Sequence, residues 1–161
     1  MANSSSFALL DERIQRYIWT EGWTELRAAQ EAAIPAILAG DTDVIIAAAT
    51  AAGKTEAAFL PALTRLLRDH EHATDPRLDR PRRTRSSPPG LLIYVSPLKA
   101  LINDQFGRLA RLCEQLDVPV WPWHGDISSS SKQRFNREPR GVLLITPESL
   151  EAMLCLRGTS V

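Results

Sequence analysis

The stretch from residue 48 to residue 55, Ala-Ala-Thr-Ala-Ala-Gly-Lys-Thr, constrains this chain more than any other. It follows a short apolar run, Val44 to Ala48, and it leads into a segment with helical patterning from Lys54 to Asp69. Small residues between a buried strand and a helix let consecutive backbone N–H groups surround an anion, and the helix dipole adds attraction. The stretch therefore predicts a phosphate-binding loop.

The residues of this loop have distinct expected roles. Lys54 is expected to reach the β- and γ-phosphates of ATP as a point charge, and the Thr55 hydroxyl to ligate Mg²⁺. The rest of the phosphate cradle is expected from four residues: Thr50, Ala51, Ala52 and Gly53. The general pattern begins with glycine, where this chain has Ala48. An ordinary strand-to-helix turn without a ligand remains the alternative at this point.

Three more apolar runs follow along the chain: Leu91 to Val95, Val118 to Trp121, and Val142 to Ile145. Each has strand length and lacks polar alternation, which is typical of strands covered on both faces. Between the first two, apolar residues return at three- and four-residue steps from Pro97 to Leu116 and predict a helix with one buried stripe. Strands that alternate with helices predict an α/β fold with a parallel sheet flanked by helices.

Two helices are predicted before the loop, Leu10 to Trp19 and Leu26 to Leu38, and Pro35 is expected to kink or divide the second. Residues 75–90 hold five arginines and four prolines without apolar periodicity. They predict a loop, either simply solvated or in contact with nucleic acid.

The overall composition narrows the function. Nineteen basic and nineteen acidic residues give a net charge of zero, so any nucleic-acid contact must be local. Cys113 and Cys155 are far apart, which argues against a zinc site or a disulfide framework, and both are expected to be buried thiols. No targeting segment or membrane span is recognisable, so a cytoplasmic protein is expected.

These features resemble the superfamily 2 DEAD/DEAH-box ATP-dependent helicases, and within them the Lhr-like (large helicase-related) branch, from Ile18 onward. The stretch Leu26-Arg27-Ala28-Ala29-Gln30 is similar to the family segment that reads adenine, which implies a hydrogen bond from the Gln30 amide to the base. The resemblance implies a RecA-like P-loop domain, incomplete at its C-terminal end, over residues 21–161. Residues 1–20 would form a helical lead-in.

Three later segments resemble the nucleic-acid motifs of that family. They are Tyr94 to Gln105, which is similar to motif Ia, then His124-Gly125-Asp126, and then Thr146 to Glu151. The resemblance implies contacts with the backbone of a DNA or RNA single strand from seven residues: Pro97, Lys99, Ala100, Gly125, Thr146, Pro147 and Glu148. A helix N-terminus with Lys99 at the carboxyl edge of a parallel sheet also suits phosphate on physical grounds, although capped helices with a solvated lysine look the same. His124 lacks partners at metal-ligand spacing.

Two departures from the family pattern change the expected activity. The family has Pro-Thr-Gly-Ser where this chain has Ala49 to Ala52, so Ala51 stands where glycine adopts a positive φ, at a cost of about 1 kcal/mol. The Asp-Glu-x-His box, which anchors Mg²⁺ and activates water, does not occur in the 161 residues. We therefore expect an N-terminal portion of a helicase that binds ATP weakly and does not hydrolyse it alone.

Two other functions remain open on the sequence. One is a non-catalytic fragment or split subunit that binds nucleotide or the missing C-terminal part of the helicase. The other is a small P-loop kinase, although no lid or acceptor-binding pattern accompanies the loop.

Overall fold

The computed structural model describes residues 5–74 and 90–157, with the side chains of residues 72–74 and 156–157 left out of the description. The chain forms two compact units, and each is described separately. The arginine- and proline-rich segment predicted at residues 75–90 lies outside the described residues, apart from Gly90.

The first unit is helical. A short 3-10 helix, Phe7–Leu9, precedes three α-helices: α1 Glu12–Thr20, α2 Ala28–Ala39 and α3 Lys54–Thr74. The two predicted helices before the loop are confirmed, and α3 continues beyond Asp69, where its end was predicted. Pro35 does not divide α2, which runs on until Gly40 ends it in a left-handed conformation with a φ of 68°.

The core of this unit forms where α2 packs against α3. Its fully buried side chains come from all three helices: Ile14, Ile18, Ile34, Leu60 and Leu63. Asp11 fixes the start of α1 because its side chain accepts a hydrogen bond from the Arg13 backbone N–H at 2.9 Å. The Arg13 guanidinium bonds both Asp11 and Glu71 of α3, and its hydrogen bond lowers the pKa of Asp11. These contacts join α1 to α3.

The strand predicted from Val44 to Ala48 is wrong. Residues 43–49 carry no regular secondary structure, and the Ile45 side chain is 93% exposed. An apolar run becomes a strand only when the backbone of a neighbouring strand completes its hydrogen bonds. No described strand pairs with residues 44–48. The sheet accordingly has three described strands where the sequence predicted four.

The second unit alternates strands and helices. Its elements are β1 Leu91–Val95, α4 Lys99–Gln115, β2 Val120–Trp123, α5 Ser129–Arg137, β3 Gly141–Ile145 and α6 Pro147–Arg157. The strands form a parallel sheet in the order β1-β3-β2, with Val95 and Trp123 both aligned with Ile145. β3 is buried along its whole length, as expected of a central parallel strand. The predicted α/β architecture is confirmed.

β2 begins two residues later than the predicted strand from Val118 to Trp121. The Val118 N–H is used in a 2.8 Å bond to the Cys113 carbonyl at the end of α4, so it is not available to the sheet. The pairing of β2 with β3 begins at Pro119, whose carbonyl accepts a hydrogen bond from the Val142 N–H at 2.9 Å. Pro122 is tolerated within β2 because this strand lies at the edge of the sheet.

α5 was not predicted from the sequence. Its start, Ser128 to Ser131, looks like a low-complexity patch, but Ser128 caps the helix by accepting from Ser131 N–H at 3.4 Å. Phe135 anchors the helix in a cluster with Leu143 and Ile145 of β3, with edge-on contacts to Trp121 and Trp123. Among the described residues, no helix is both long enough and apolar enough to cross a membrane.

Candidate functional site

The loop before α3 folds back on its own lysine. Lys54 is the first residue of α3, and its Nζ donates to the carbonyl oxygens of Ala48 and Ala49, each at 2.7 Å. A 3.2 Å bond from Ala52 N–H to the Ala49 carbonyl closes a turn within the loop. The lysine predicted to bind phosphate therefore has its charge held inside the ring of loop backbone.

Two residues of the loop have left-handed backbone. Ala51 has a φ of 61° and Gly53 a φ of 78°. The positive φ predicted for Ala51 is thus found in the structure, where glycine would adopt it without strain. Alternating backbone conformations of this kind turn successive N–H groups toward one centre, which is the geometry of an anion-binding concavity.

The start of α3 completes this concavity. The first helical hydrogen bond runs from Ala57 N–H to the Gly53 carbonyl at 2.9 Å, so the N–H groups of Lys54 and Thr55 precede it. Such first-turn groups have no acceptor within their own helix. Thr50 and Ala51 are exposed, whereas Ala52, Gly53, Lys54 and Thr55 are partly exposed. The loop is accessible to a ligand.

Gln30, predicted to read adenine, lies beside the loop. It is 2% exposed, and its Oε1 accepts a 2.9 Å hydrogen bond from the Arg27 backbone N–H, which caps the start of α2. A Cβ atom on Gly53 would lie 2.7 Å from Gln30 Nε2, so any other residue there would displace the end of the Gln30 side chain and would also be strained by the positive φ. The structure thus brings the predicted adenine and phosphate residues together.

Arg27 also contacts the loop, although no role was predicted for this residue. Its Nη1 donates to the Ala51 carbonyl, and its Cδ lies 3.2 Å from the place of a Cβ on Gly53. The spacing could have indicated this contact, because side chains three residues apart at a helix start lie on the same face as each other.

A second group of polar residues lies where the three strands of the sheet end. Ser96 follows β1, His124 follows β2 and Thr146 follows β3. All three residues are buried, with exposed fractions of 2%, 5% and 5%. Neither Ser96 Oγ nor His124 Nδ1 has a hydrogen-bond partner among the described residues. Ligands of parallel sheets bind at this carboxyl edge, and buried polar atoms without partners are uncommon.

The predicted nucleic-acid residues surround this edge. Lys99 begins α4, whose N-cap residue, Leu98, offers no side-chain hydrogen bond to the first N–H groups. The other exposed members of the predicted set are Pro97, Ala100, Gly125, Pro147 and Glu148. The uncapped end of α4 beside a lysine is a favourable place for phosphate.

Side-chain contacts at this edge link α4 to the end of β2. Lys99 Nζ bonds Asp126 Oδ2 at 3.1 Å, and this hydrogen bond lowers the pKa of Asp126. His124 Nε2 lies 3.2 Å from Asn103 Oδ1. The sequence did not predict either pair.

Thr146 has the capping role that the sequence allowed. Its Oγ1 accepts from Ser149 N–H at 3.4 Å and donates to Ser149 Oγ at 3.0 Å. Pro147 is the first residue of α6, where its missing N–H leaves no bond unmade.

Comparison with known proteins decides the family. The sequence profile of the DEAD/DEAH box helicases matches residues 27–160, which include the loop and all three strands. The chain belongs to the DEAD/DEAH box helicase family. The matched range contains Gln30, the predicted phosphate loop and the carboxyl edge of the sheet.

The relatives of this helicase domain include Lhr proteins. It is 32% identical over 134 residues to the Lhr helicase/uracil glycosylase of Escherichia coli, covering 76% of this chain and 8% of that protein. It is 30% identical over 125 residues to the ATP-dependent helicase Lhr-Core of Methanocaldococcus jannaschii, covering 70% of this chain and 13% of that protein. The chain therefore spans a small part of these relatives.

A solved Lhr structure has the same fold. The structure of Mycobacterium smegmatis helicase Lhr bound to ssDNA and AMP-PNP superposes with a TM-score of 0.68 at 27% identity, over 92% of this chain and 18% of that one. The RecA-like class implied by the sequence is thereby confirmed for this helicase domain.

Proposed function

We propose that this chain is the ATP-binding front part of an ATP-dependent DNA or RNA helicase of the Lhr type, and that it holds nucleotide and a single strand at two separate sites. The observation that carries the proposal is the position of Lys54, whose ammonium group lies 2.7 Å from two loop carbonyls inside the ring of loop backbone, which is left-handed at Ala51 and Gly53. A phosphate entering this ring meets the lysine charge, turned N–H groups and the positive end of α3.

ATP would be bound by the residues of the first unit. Gln30 would hydrogen-bond the adenine edge, and the loop from Thr50 to Gly53 would enclose the phosphates with Lys54 as the counter-charge. Thr55, one residue into α3, would offer its hydroxyl to Mg²⁺, which neutralises charge on the phosphates when bound. The hydroxyl of a threonine at this place in a phosphate loop is a ligand that Mg²⁺ accepts.

The single strand would lie along the carboxyl edge of the sheet. The support is the pair of buried polar atoms, Ser96 Oγ and His124 Nδ1, together with the uncapped, lysine-bearing start of α4. Phosphate contacts of this kind hold a strand without reading its bases. Thr146, Pro147 and Glu148 would contact the same strand through the start of α6. In the longer relatives ATP-driven domain movements would advance such contacts along the strand.

The 161 residues alone are proposed to bind ATP without turning it over. They contain no Asp-Glu-x-His sequence, and no group of three His, Cys, Asp or Glu side chains in the described parts could hold a metal ion. Thr55 alone leaves Mg²⁺ without a carboxylate anchor, and the attacking water has no general base. The remaining part of the helicase would be the partner of this chain.

The test combines turnover with strand binding. We expect no phosphate release above background from the purified chain with ATP, Mg²⁺ and single-stranded DNA or RNA. We also expect Lys99→Gln to weaken strand binding, measured by fluorescence anisotropy, and to lower the slope of log affinity against log salt by about 1. Arg111→Gln, on an exposed part of α4 distant in sequence from its start, is the matched control. Strand-stimulated turnover, or equal losses in both variants, would contradict the proposal.

A further inference from the structure

Arg27 contacts the phosphate loop at its strained residue. It is an exposed residue at the N-cap of α2, and its Nη1 donates to the carbonyl oxygen of Ala51. Ala51 is one of two non-glycine residues with positive φ among the described residues, and the other, Asp117, lies outside the loop. The guanidinium of Arg27 therefore bonds the carbonyl of Ala51, the one residue of the loop whose backbone is strained.

We propose that Arg27 is a positioning residue, which holds the Ala51 peptide in left-handed conformation and so keeps the loop ready for phosphate. The proposal rests on the proposed nucleotide-binding function of the loop. Its chemistry is simple: a charged donor on a helix start fixes the direction of one carbonyl, and the following N–H groups then face the concavity. A hydrogen bond from a charged group and the strain of a left-handed alanine are of similar size, so one can offset the other.

The neighbouring contacts support a positioning role. The apolar stem of Arg27 packs where a Cβ on Gly53 would lie, and Gln30 fills the other side of that space. The start of α2 therefore contacts the loop at both of its left-handed residues, Ala51 and Gly53. The Arg27 backbone is itself fixed, because its N–H donates to Gln30 Oε1 at 2.9 Å. A movement of the loop would have to break these contacts together.

A double-mutant cycle separates this role from general structural support. Arg27→Met keeps the apolar stem and removes the donor, and Ala51→Gly removes the strain that the donor is proposed to offset. We expect Arg27→Met to weaken binding of a fluorescent ATP analogue about tenfold, which is the effect of losing one bond from a charged group. In the chain that also carries Ala51→Gly, the same change should weaken binding by no more than about twofold.

Two further variants sharpen the cycle. Arg27→Lys retains a charged donor and should keep most of the affinity. Arg16→Met makes the same chemical change on the exposed face of α1 and should have no effect. Equal losses from Arg27→Met with and without Ala51→Gly would overturn the proposal, because Arg27 would then act on the nucleotide or on folding in general. An unchanged affinity in Arg27→Met would also overturn it.

A failure of the proposed function gives a different result. If the wild-type chain binds no nucleotide, the phosphate-loop assignment fails. The effects of the same substitutions are then measured as changes in the Tm of thermal unfolding. A positioning role predicts that Arg27→Met lowers the Tm more in the wild-type chain than in the chain with Ala51→Gly. Equal decreases in Tm, or none, would reject the role of Arg27 independently of nucleotide binding.

Discussion

The Nζ atom of Lys99 lies 3.1 Å from Oδ2 of Asp126, so the lysine proposed to bind a nucleic-acid phosphate already has an anionic partner. Both side chains are exposed, at 54% and 73%. The hydrogen bond from Lys99 lowers the pKa of Asp126, so this stabilising contact is complete above the ordinary aspartate pKa and is lost only as the pH falls through the lowered value. At neutral pH a phosphate must compete with this carboxylate.

Removing that carboxylate should strengthen strand binding. We expect Asp126→Asn to raise the affinity for single-stranded nucleic acid by about two- to fivefold at low salt, because no carboxylate then competes with the phosphate for the Lys99 charge. Fluorescence anisotropy measures the change. Glu114→Gln removes the same charge from an exposed position near the other end of α4 and is the control. A weaker affinity in Asp126→Asn would mean that Asp126 supports the strand site.

The two left-handed residues of the loop should respond in opposite ways to reciprocal substitutions. Ala51→Gly relieves backbone strain and should raise the free energy of unfolding by about 0.5 kcal/mol, after the greater chain entropy of glycine is subtracted. Gly53→Ala adds strain and a contact of 2.7 Å with Gln30 Nε2, so it should destabilise the chain and abolish ATP binding. Urea unfolding and nucleotide titration measure both effects. A stable, ATP-binding Gly53→Ala protein would contradict this geometry.

Adenine recognition by Gln30 can be separated from its capping role. Gln30→Ala removes the bond to Arg27 N–H and should cost about 1 kcal/mol of stability. It should also weaken ATP binding about two- to tenfold, the range for one lost hydrogen bond, and should weaken the binding of tripolyphosphate, which has no base, to a smaller extent. Calorimetric titration with the two ligands tests this. Equal losses for both would show that Gln30 acts through the loop instead.

The two cysteines should differ in reactivity. Cys113 is 1% exposed, and burial raises the pKa of its thiol to about 12, so little thiolate forms at pH 8. Cys155 is exposed, contrary to the expectation that both thiols are buried. Iodoacetamide should therefore modify Cys155 alone in the native chain and both cysteines in denaturant, as measured by peptide mass spectrometry. Native labelling of Cys113 at a comparable rate would contradict its buried position.

The sequence predicted the elements whose patterns are local. The helix α4 was recognisable from apolar spacing, and β3 from an unbroken apolar run that becomes a fully buried central strand. The positive φ at Ala51 was predicted from the place of glycine in the family motif. In each case the information lies within a few neighbouring residues.

The remaining features depend on partners distant in sequence. The apolar run from Val44 to Ala48 has strand composition, but it has no described partner strand. α5 begins with serines and is held by the burial of Phe135 against β3, which no local pattern shows. The pairing of Lys99 with Asp126 joins residues brought close only by the parallel sheet.

The most direct test of the central claim is the affinity of the purified chain for ATP with Mg²⁺, compared between the wild type and Lys54→Ala by isothermal titration calorimetry. The Lys54 ammonium lies inside the loop at 2.7 Å from two carbonyls, where a phosphate would meet it. We expect saturable binding by the wild type, at least about tenfold weaker binding by Lys54→Ala, and no change in Lys132→Ala. Equal affinities for the wild type and Lys54→Ala would contradict the phosphate loop and the function built on it.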